Sequence, residues 1–179
     1  MKIGQKSLDK STILIADDTG VMRHACERAL KREGYRVIIA EDGEKALKLI
    51  RENDIDVALL DIKMPGISGI DVLREIKKNN PLVEVIMMTA FSTKEIVEEA
   101  RNLGAFGFLT KPFEDIHALT GYISKAVFKK RLSEAGASEG SILSEEIIKA
   151  YRIADVIRTE FEPVKEGLKF IIEGVLRKV

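Results

Sequence analysis

Residues 57–71 read VALLDIKMPGISGID, and their interpretation decides the fold. An apolar run, Val57–Leu60, ends on an acid, Asp61. Pro65-Gly66 then turns the chain. Ser68 with Asp71, a variant of the capping box, opens a segment in which Leu73 and Ile76 repeat at helical spacing. A run apolar at every position, without polar alternation, suits a strand covered on both faces in a parallel sheet. Runs apolar at most positions recur at Thr12–Ala16, Tyr35–Ala40, Val83–Met88 and Phe106–Leu109. Helix-period segments lie between, carried by Val21, Ala25 and Ala29, by Ala46 and Ile50, and by Ile96 and Ala100. Gly34 and Gly104 read as helix stops. Asp42-Gly43 and Asn79-Asn80-Pro81 read as turns. Ser92 with Glu95 forms a full capping box. Five strand candidates, each followed by a helix candidate, predict a doubly wound α/β fold ending near Phe128.

The chain has 179 residues, room for one domain and a small appendage. Apolar residues make up 45%, enough for a real core. Basic and acidic residues balance at 29 each, so nothing pulls the whole chain toward nucleic acid or anionic membrane. The single cysteine, Cys26, rules out an internal disulfide and fits a reducing compartment. No apolar run approaches the roughly 20 residues that span a bilayer, and the polar start MKIGQKSLDKST has no signal-peptide stretch. A cytoplasmic protein with no membrane association is expected.

Ligands of an open parallel sheet sit beyond the carboxyl ends of its strands. Strand 1 ends in Asp17-Asp18, strand 3 in Asp61, strand 4 in Thr89-Ala90, and strand 5 runs into Thr110-Lys111-Pro112. Three carboxylates on one rim repel unless a cation intervenes. With oxygen ligands and no His or Cys set among them, the favoured ion is a hard one such as Mg²⁺. Such an ion would shield a carboxylate nucleophile from an incoming phosphate. Lys111 can pair with the acceptor carboxylate and then with a phosphoryl group, while Thr89 can donate to a phosphoryl oxygen.

The set Asp17-Asp18, Asp61-Ile62-Lys63-Met64-Pro65-Gly66, Thr89-Ala90 and Lys111-Pro112-Phe113 closely resembles the receiver domain of bacterial response regulators. The resemblance covers roughly residues 10–130. It implies a five-stranded, flavodoxin-like sheet of order 2-1-3-4-5. It implies that Asp61 accepts a phosphoryl group from the phosphohistidine of a sensor histidine kinase. Asp18 and Asp61, with the backbone carbonyl of Lys63, would hold Mg²⁺ directly, and Asp17 would act through water. Thr89 and Lys111 would stabilise the phosphoryl group. Phe108, at the aromatic switch position where many relatives have Tyr, would report its arrival with Thr89. The resemblance further implies self-phosphorylation from small donors, autodephosphorylation, and a response on the face of helix 4, strand 5 and helix 5, a surface where two copies could pair.

Two other phosphate chemistries fit less well. Aspartate-nucleophile phosphohydrolases place a second Asp two residues after the nucleophile, where this chain has Lys63. A flavin site would want a Ser/Thr-rich loop after strand 1, where Asp17-Asp18 would repel phosphate. Cys26 falls in the apolar pattern of helix 1 and reads as core. His24 and His117 read as surface residues.

Residues 129–141 (KKRLSEAGASEGS) lose apolar character, as a linker or a fraying helix end does. The domain reading is a receiver over 10–130, a linker over 131–141 and a helical extension over 142–179. In that extension Ile147, Tyr151, Ala154, Ile157, Phe161, Val164, Leu168, Ile171, Val175 and Val179 repeat every 3 or 4 residues, a seam suited to helix pairing. Glu162-Pro163 makes it a hairpin or a kinked helix. It has no histidine for phosphotransfer and no Gly-rich nucleotide loop. Dimerisation or partner docking is the favoured role. A short degenerate DNA-binding segment is the competing one, and the mixed charges of Lys165, Glu166, Lys169, Glu173 and Arg177 weigh against it.

Overall fold

The computed structural model describes residues 11–90, 93–112 and 116–134. Five strands and five helices alternate: β1 Thr12–Ala16, α1 Gly20–Arg32, β2 Arg36–Ala40, α2 Gly43–Glu52, β3 Val57–Asp61, α3 Gly69–Asn79, β4 Glu84–Thr89, α4 Lys94–Asn102, β5 Gly107–Thr110 and α5 Ile116–Glu134. All strand pairings are parallel, in the order β2-β1-β3-β4-β5, as the resemblance implies.

The apolar runs explain this order. β1, β3 and β4 are buried at every position, which only interior strands can be. β2 and β5, on the edges, keep partly exposed residues. Alternate residues serve opposite faces. Leu14, Ala58, Leu60 and Met87 pack with Ala46, Leu73 and Ile76 from α2 and α3. Ile13, Ile15, Leu59 and Met88 pack with Cys26 and Leu30 of α1 and Leu119 and Ile123 of α5.

The helix ends follow local chemistry. Asp42 accepts from the Lys45 amide at 2.7 Å, capping α2. Ser68 accepts from the Asp71 amide at 3.2 Å and donates its hydroxyl to the Asp71 carboxylate at 2.6 Å. After α1 the amides of Gly34 and Tyr35 return to the carbonyls of Lys31 and Leu30, and after α4 those of Gly104 and Ala105 return to Arg101 and Ala100. These are Schellman closures, with φ of 88° at both glycines.

Two local expectations are corrected. The cap of α4 is Thr93, which accepts from the Ile96 amide at 3.4 Å, rather than Ser92. A hydroxyl one residue later serves the same orphan amides. In α1 the buried stripe is Met22, Cys26 and Leu30, while Val21 is 82% exposed. The two apolar stripes differ by one residue, and sheet packing selects the one holding the larger Leu30. The last helix, α5, runs to Glu134, through residues read as a linker or a fraying helix end.

Its last turn is fastened to the start of the sheet. Lys130 Nζ donates to the Ile55 carbonyl at 3.1 Å and to Asp56 Oδ1 at 3.0 Å. Asp56 Oδ2 accepts from the Thr12 amide at 2.7 Å. Arg131 reaches the Ser11 hydroxyl at 2.9 Å, and Lys129 lies 3.5 Å from Glu84. Residues 135–141 and the proposed helical extension lie outside the described residues.

Candidate functional site

Parallel register brings the strand ends to one rim. Ala16 is opposite Leu60, so Asp17 and Asp61, each one residue further, become neighbours. Asp61 pairs with Met88 and Thr89 with Thr110, which sets Lys111 beside them. The Lys111 amide donates to the Thr89 carbonyl at 2.8 Å. The Lys111–Pro112 peptide is cis.

Lys111 is the centre of the arrangement. Its Nζ lies 2.7 Å from Asp61 Oδ2 and also donates to Asp17 Oδ2. The other Asp17 oxygen accepts from the Thr19 amide at 2.7 Å, and the Asp17 carbonyl accepts from the Arg23 guanidinium. Asp61 Oδ1 accepts from the Lys63 amide at 3.3 Å. Asp17 is fully buried, Asp61 nearly so, and Asp18 exposed, with the Thr19 hydroxyl 3.3 Å from its carboxylate. Each of the three can offer one oxygen within 4.8 Å of the others.

Burial raises the Asp61 pKa and the charge of Asp17 adds to it, against the lowering effect of Lys111. Burial alone would lower the Lys111 pKa, but its bonds to Asp17 and Asp61 prevail and raise it. The donor set fits a hard divalent ion: oxygen atoms only, carboxylates that repel, and one exposed carboxylate through which an ion could enter.

The other residues singled out in the sequence lie as follows. Thr89 is buried at the end of β4. Phe108 is half-buried in β5, opposite Met87, and packs with the cluster that holds α2 and α3. Since Thr89 stands opposite Thr110, Phe108 and Thr89 share a sheet face one diagonal step apart. The Lys63 side chain is exposed, and its amide rather than its ammonium touches Asp61. His24 is exposed and lies 3.3 Å from Glu27. Cys26 is buried beneath the rim, its thiol pushed up to about 11 by burial and then by Asp17, which makes it a poor nucleophile. Sequence reasoning missed Arg23 and Thr19. Both act on Asp17 from positions any polar residue could occupy, so no motif marks them.

Residues 13–124 match the family model described as the response regulator receiver domain. A cyclic di-GMP phosphodiesterase of Thermotoga maritima is 44% identical over 101 residues, 56% of this chain and 27% of that protein. The transcriptional regulatory protein PdtaR of Mycobacterium tuberculosis is 36% identical over 136 residues, 75% of this chain and 65% of that protein. The chain thus spans between a quarter and two thirds of these relatives. Among solved structures, a response regulator receiver domain protein from Clostridium thermocellum aligns at 35% identity and a TM-score of 0.64, over 68% of this chain and 98% of that one. The response regulator protein TrrA of Thermotoga maritima, solved in complex with Mg²⁺ and BeF, aligns at 34% identity and a TM-score of 0.59, over 65% of this chain and 98% of that one.

Proposed function

This chain belongs to the response regulator receiver domain family of two-component systems, and we propose that it is a switch operated by phosphorylation of Asp61. The observation that carries the proposal is the bridge of Lys111 between Asp61 and Asp17, which draws strands β1, β3 and the end of β5 into one charged centre. A structural ion pair needs one carboxylate; here one ammonium serves two, with a third close by.

An Asp61 carboxylate oxygen attacks the phosphorus of a phosphohistidine, presented by a sensor histidine kinase, or of a small acyl phosphate. The new bond is P–O on Asp61. The bond that breaks is P–N of the phosphohistidine, whose departing imidazole keeps the electron pair and takes a proton, or P–O of the acyl phosphate, whose carboxylate departs with the electron pair. Bound Mg²⁺ supplies charge neutralisation between the carboxylates and the incoming phosphate. Asp18, Asp61 and the Lys63 carbonyl are the groups that would hold it, with Asp17 acting through water. Lys111 already faces Asp61 and follows the transferred group electrostatically. Thr89 donates its hydroxyl to the phosphoryl group, and Phe108, on the same face of the sheet, occupies the space this movement opens. Phosphorylation thereby favours one of two packings of the α4–β5–α5 face.

The seam in residues 142–179 supports dimerisation or partner docking as the output, through that segment or the α4–β5–α5 face. Incubation with acetyl phosphate and Mg²⁺, read by intact mass, tests the acceptor: wild type gains one phosphoryl group and Asp61→Asn gains none. Uptake by Asp61→Asn, or none by wild type, would refute it. Duplex DNA binding that weakens with salt would favour the regulator reading of the extension instead.

A further inference from the structure

Two glycines meet the segment that carries Asp61, and both meet it with bare backbone. Gly69, the first residue of α3, faces the end of β3. A β-carbon there would stand 2.0 Å from the Asp61 carbonyl oxygen, 2.8 Å from its carbon and 3.1 Å from the Ile62 Cα. The Gly69 amide donates to the Ile62 carbonyl at 3.0 Å. Gly43, the first residue of α2, faces the other end of the same loop. A β-carbon there would stand 2.3 Å from the Ile67 carbonyl oxygen and 2.9 Å from the Ile67 Cβ. Neither glycine has positive φ; among the described residues only Gly34, Gly66 and Gly104 do. The requirement at 43 and 69 is therefore for space and not for an unusual backbone conformation. The nearest obstacle at each is a backbone carbonyl, which cannot swing aside as the tip of a side chain could.

Residues 61–69 are thus pressed between the first turns of two helices. The loop holds Asp61 at one end and, two residues on, Lys63, whose amide donates to Asp61 Oδ1 at 3.3 Å. Any side chain at 69 must push the Asp61 backbone, and any at 43 must push Ile67 and the loop with it. Reacting groups misplaced by about 1 Å can lose about a hundredfold in rate, and helix-borne supports give the tightest placement. We infer that Gly69 and Gly43 are positioning residues for phosphoryl acceptance, two side-chain-free contacts that fix Asp61 and the Lys63 backbone where the carboxylates converge. This rests on the reading of Asp61 as the acceptor.

The test compares the full chain with Gly69→Ala, Gly43→Ala and Gly121→Ala. The last makes the same change in α5, where a β-carbon meets nothing within 4 Å. Three readouts are taken: Mg²⁺ affinity of the unphosphorylated chain by calorimetric titration, initial rate of phosphoryl uptake from acetyl phosphate, and cooperativity of thermal unfolding. Gly69→Ala is expected to weaken Mg²⁺ binding and slow uptake at least tenfold while still unfolding cooperatively. Gly43→Ala is expected to do the same several-fold, and Gly121→Ala to match wild type. A folded Gly69→Ala with wild-type affinity and rate overturns the inference. If Gly69→Ala does not fold, Gly43→Ala, whose obstacle lies six residues from Asp61, decides by the same measurements. A wild type that takes up no phosphoryl group refutes the reading of Asp61; a competent wild type beside indistinguishable glycine variants refutes the clamp alone.

Discussion

Lys111 and Asp61 stand 2.7 Å apart, Nζ to Oδ2, and the same ammonium also holds Asp17. Replacing Lys111 by Met leaves two buried carboxylates facing each other with no cation. Loss of one partner from a buried pair costs ~3–5 kcal/mol, and the remaining access to water at this rim favours the lower end. Mg²⁺ should recover part of the loss, since it neutralises the same oxygens. Urea unfolding with and without Mg²⁺ checks this. The expected result is a larger Mg²⁺ stabilisation in the variant than in wild type; equal stabilisation would count against shared ligands.

Burial, more than any other influence, raises the Asp61 pKa in the folded chain. A raised folded pKa contributes stability that is fully present below the unfolded value and lost as pH rises through the folded one. Without Mg²⁺, the ionised Asp61 therefore costs stability at neutral pH. Asp61→Asn should raise the urea midpoint at pH 7 and remove this part of the pH dependence. A lowered midpoint at pH 7 would show that the bond to Lys111 outweighs burial.

Cys26 should resist thiol reagents in the native chain and react fully once the chain is unfolded. Its thiol is held at about 11, against an ordinary 9.0, first by burial and then by Asp17. Stability tied to it is complete below pH 9 and drains as pH climbs toward 11. Cys26→Ala should flatten that limb of the stability curve. Rapid labelling under native conditions would contradict this placement.

Lys130→Ala should be among the most damaging changes far from the acidic rim. It removes the ammonium 3.0 Å from Asp56, a carboxylate almost wholly out of solvent. A cost of about 3–5 kcal/mol is expected in urea unfolding. Lys130→Met combined with Asp56→Asn should cost less than the two single changes added together, because no lone charge stays buried. Strict additivity would mean that the pair does not interact.

Much of this was legible in the sequence, for a physical reason. Interior parallel strands must be apolar on both faces, so TILIA, VALL and VIMM announce themselves. Chemistry at strand ends is equally readable, because Asp17, Asp61 and Thr89 each follow such a run directly and Lys111 stands two residues after Leu109. Choices between near-equal options were not legible. Val21 and Met22 are adjacent and both apolar, and only packing against the sheet decides which is buried. Ser92 and Thr93 can both cap a helix. Contacts between distant segments left no local trace: Asp56 and Lys130 are 74 residues apart, and Gly69 looks like any loop glycine until α3 is laid against β3.

The bond from the Lys111 amide to the Thr89 carbonyl has a consequence of its own. The residue meant to feel the phosphoryl group through its hydroxyl and the one meant to feel it through its charge share a backbone link. They form one lever with two handles. A displacement of either is transmitted to the other without help from side chains. Substitutions at 89 and 111 should therefore be non-additive in any property that depends on the switch, and a double variant will inform on the lever where single ones inform only on its handles.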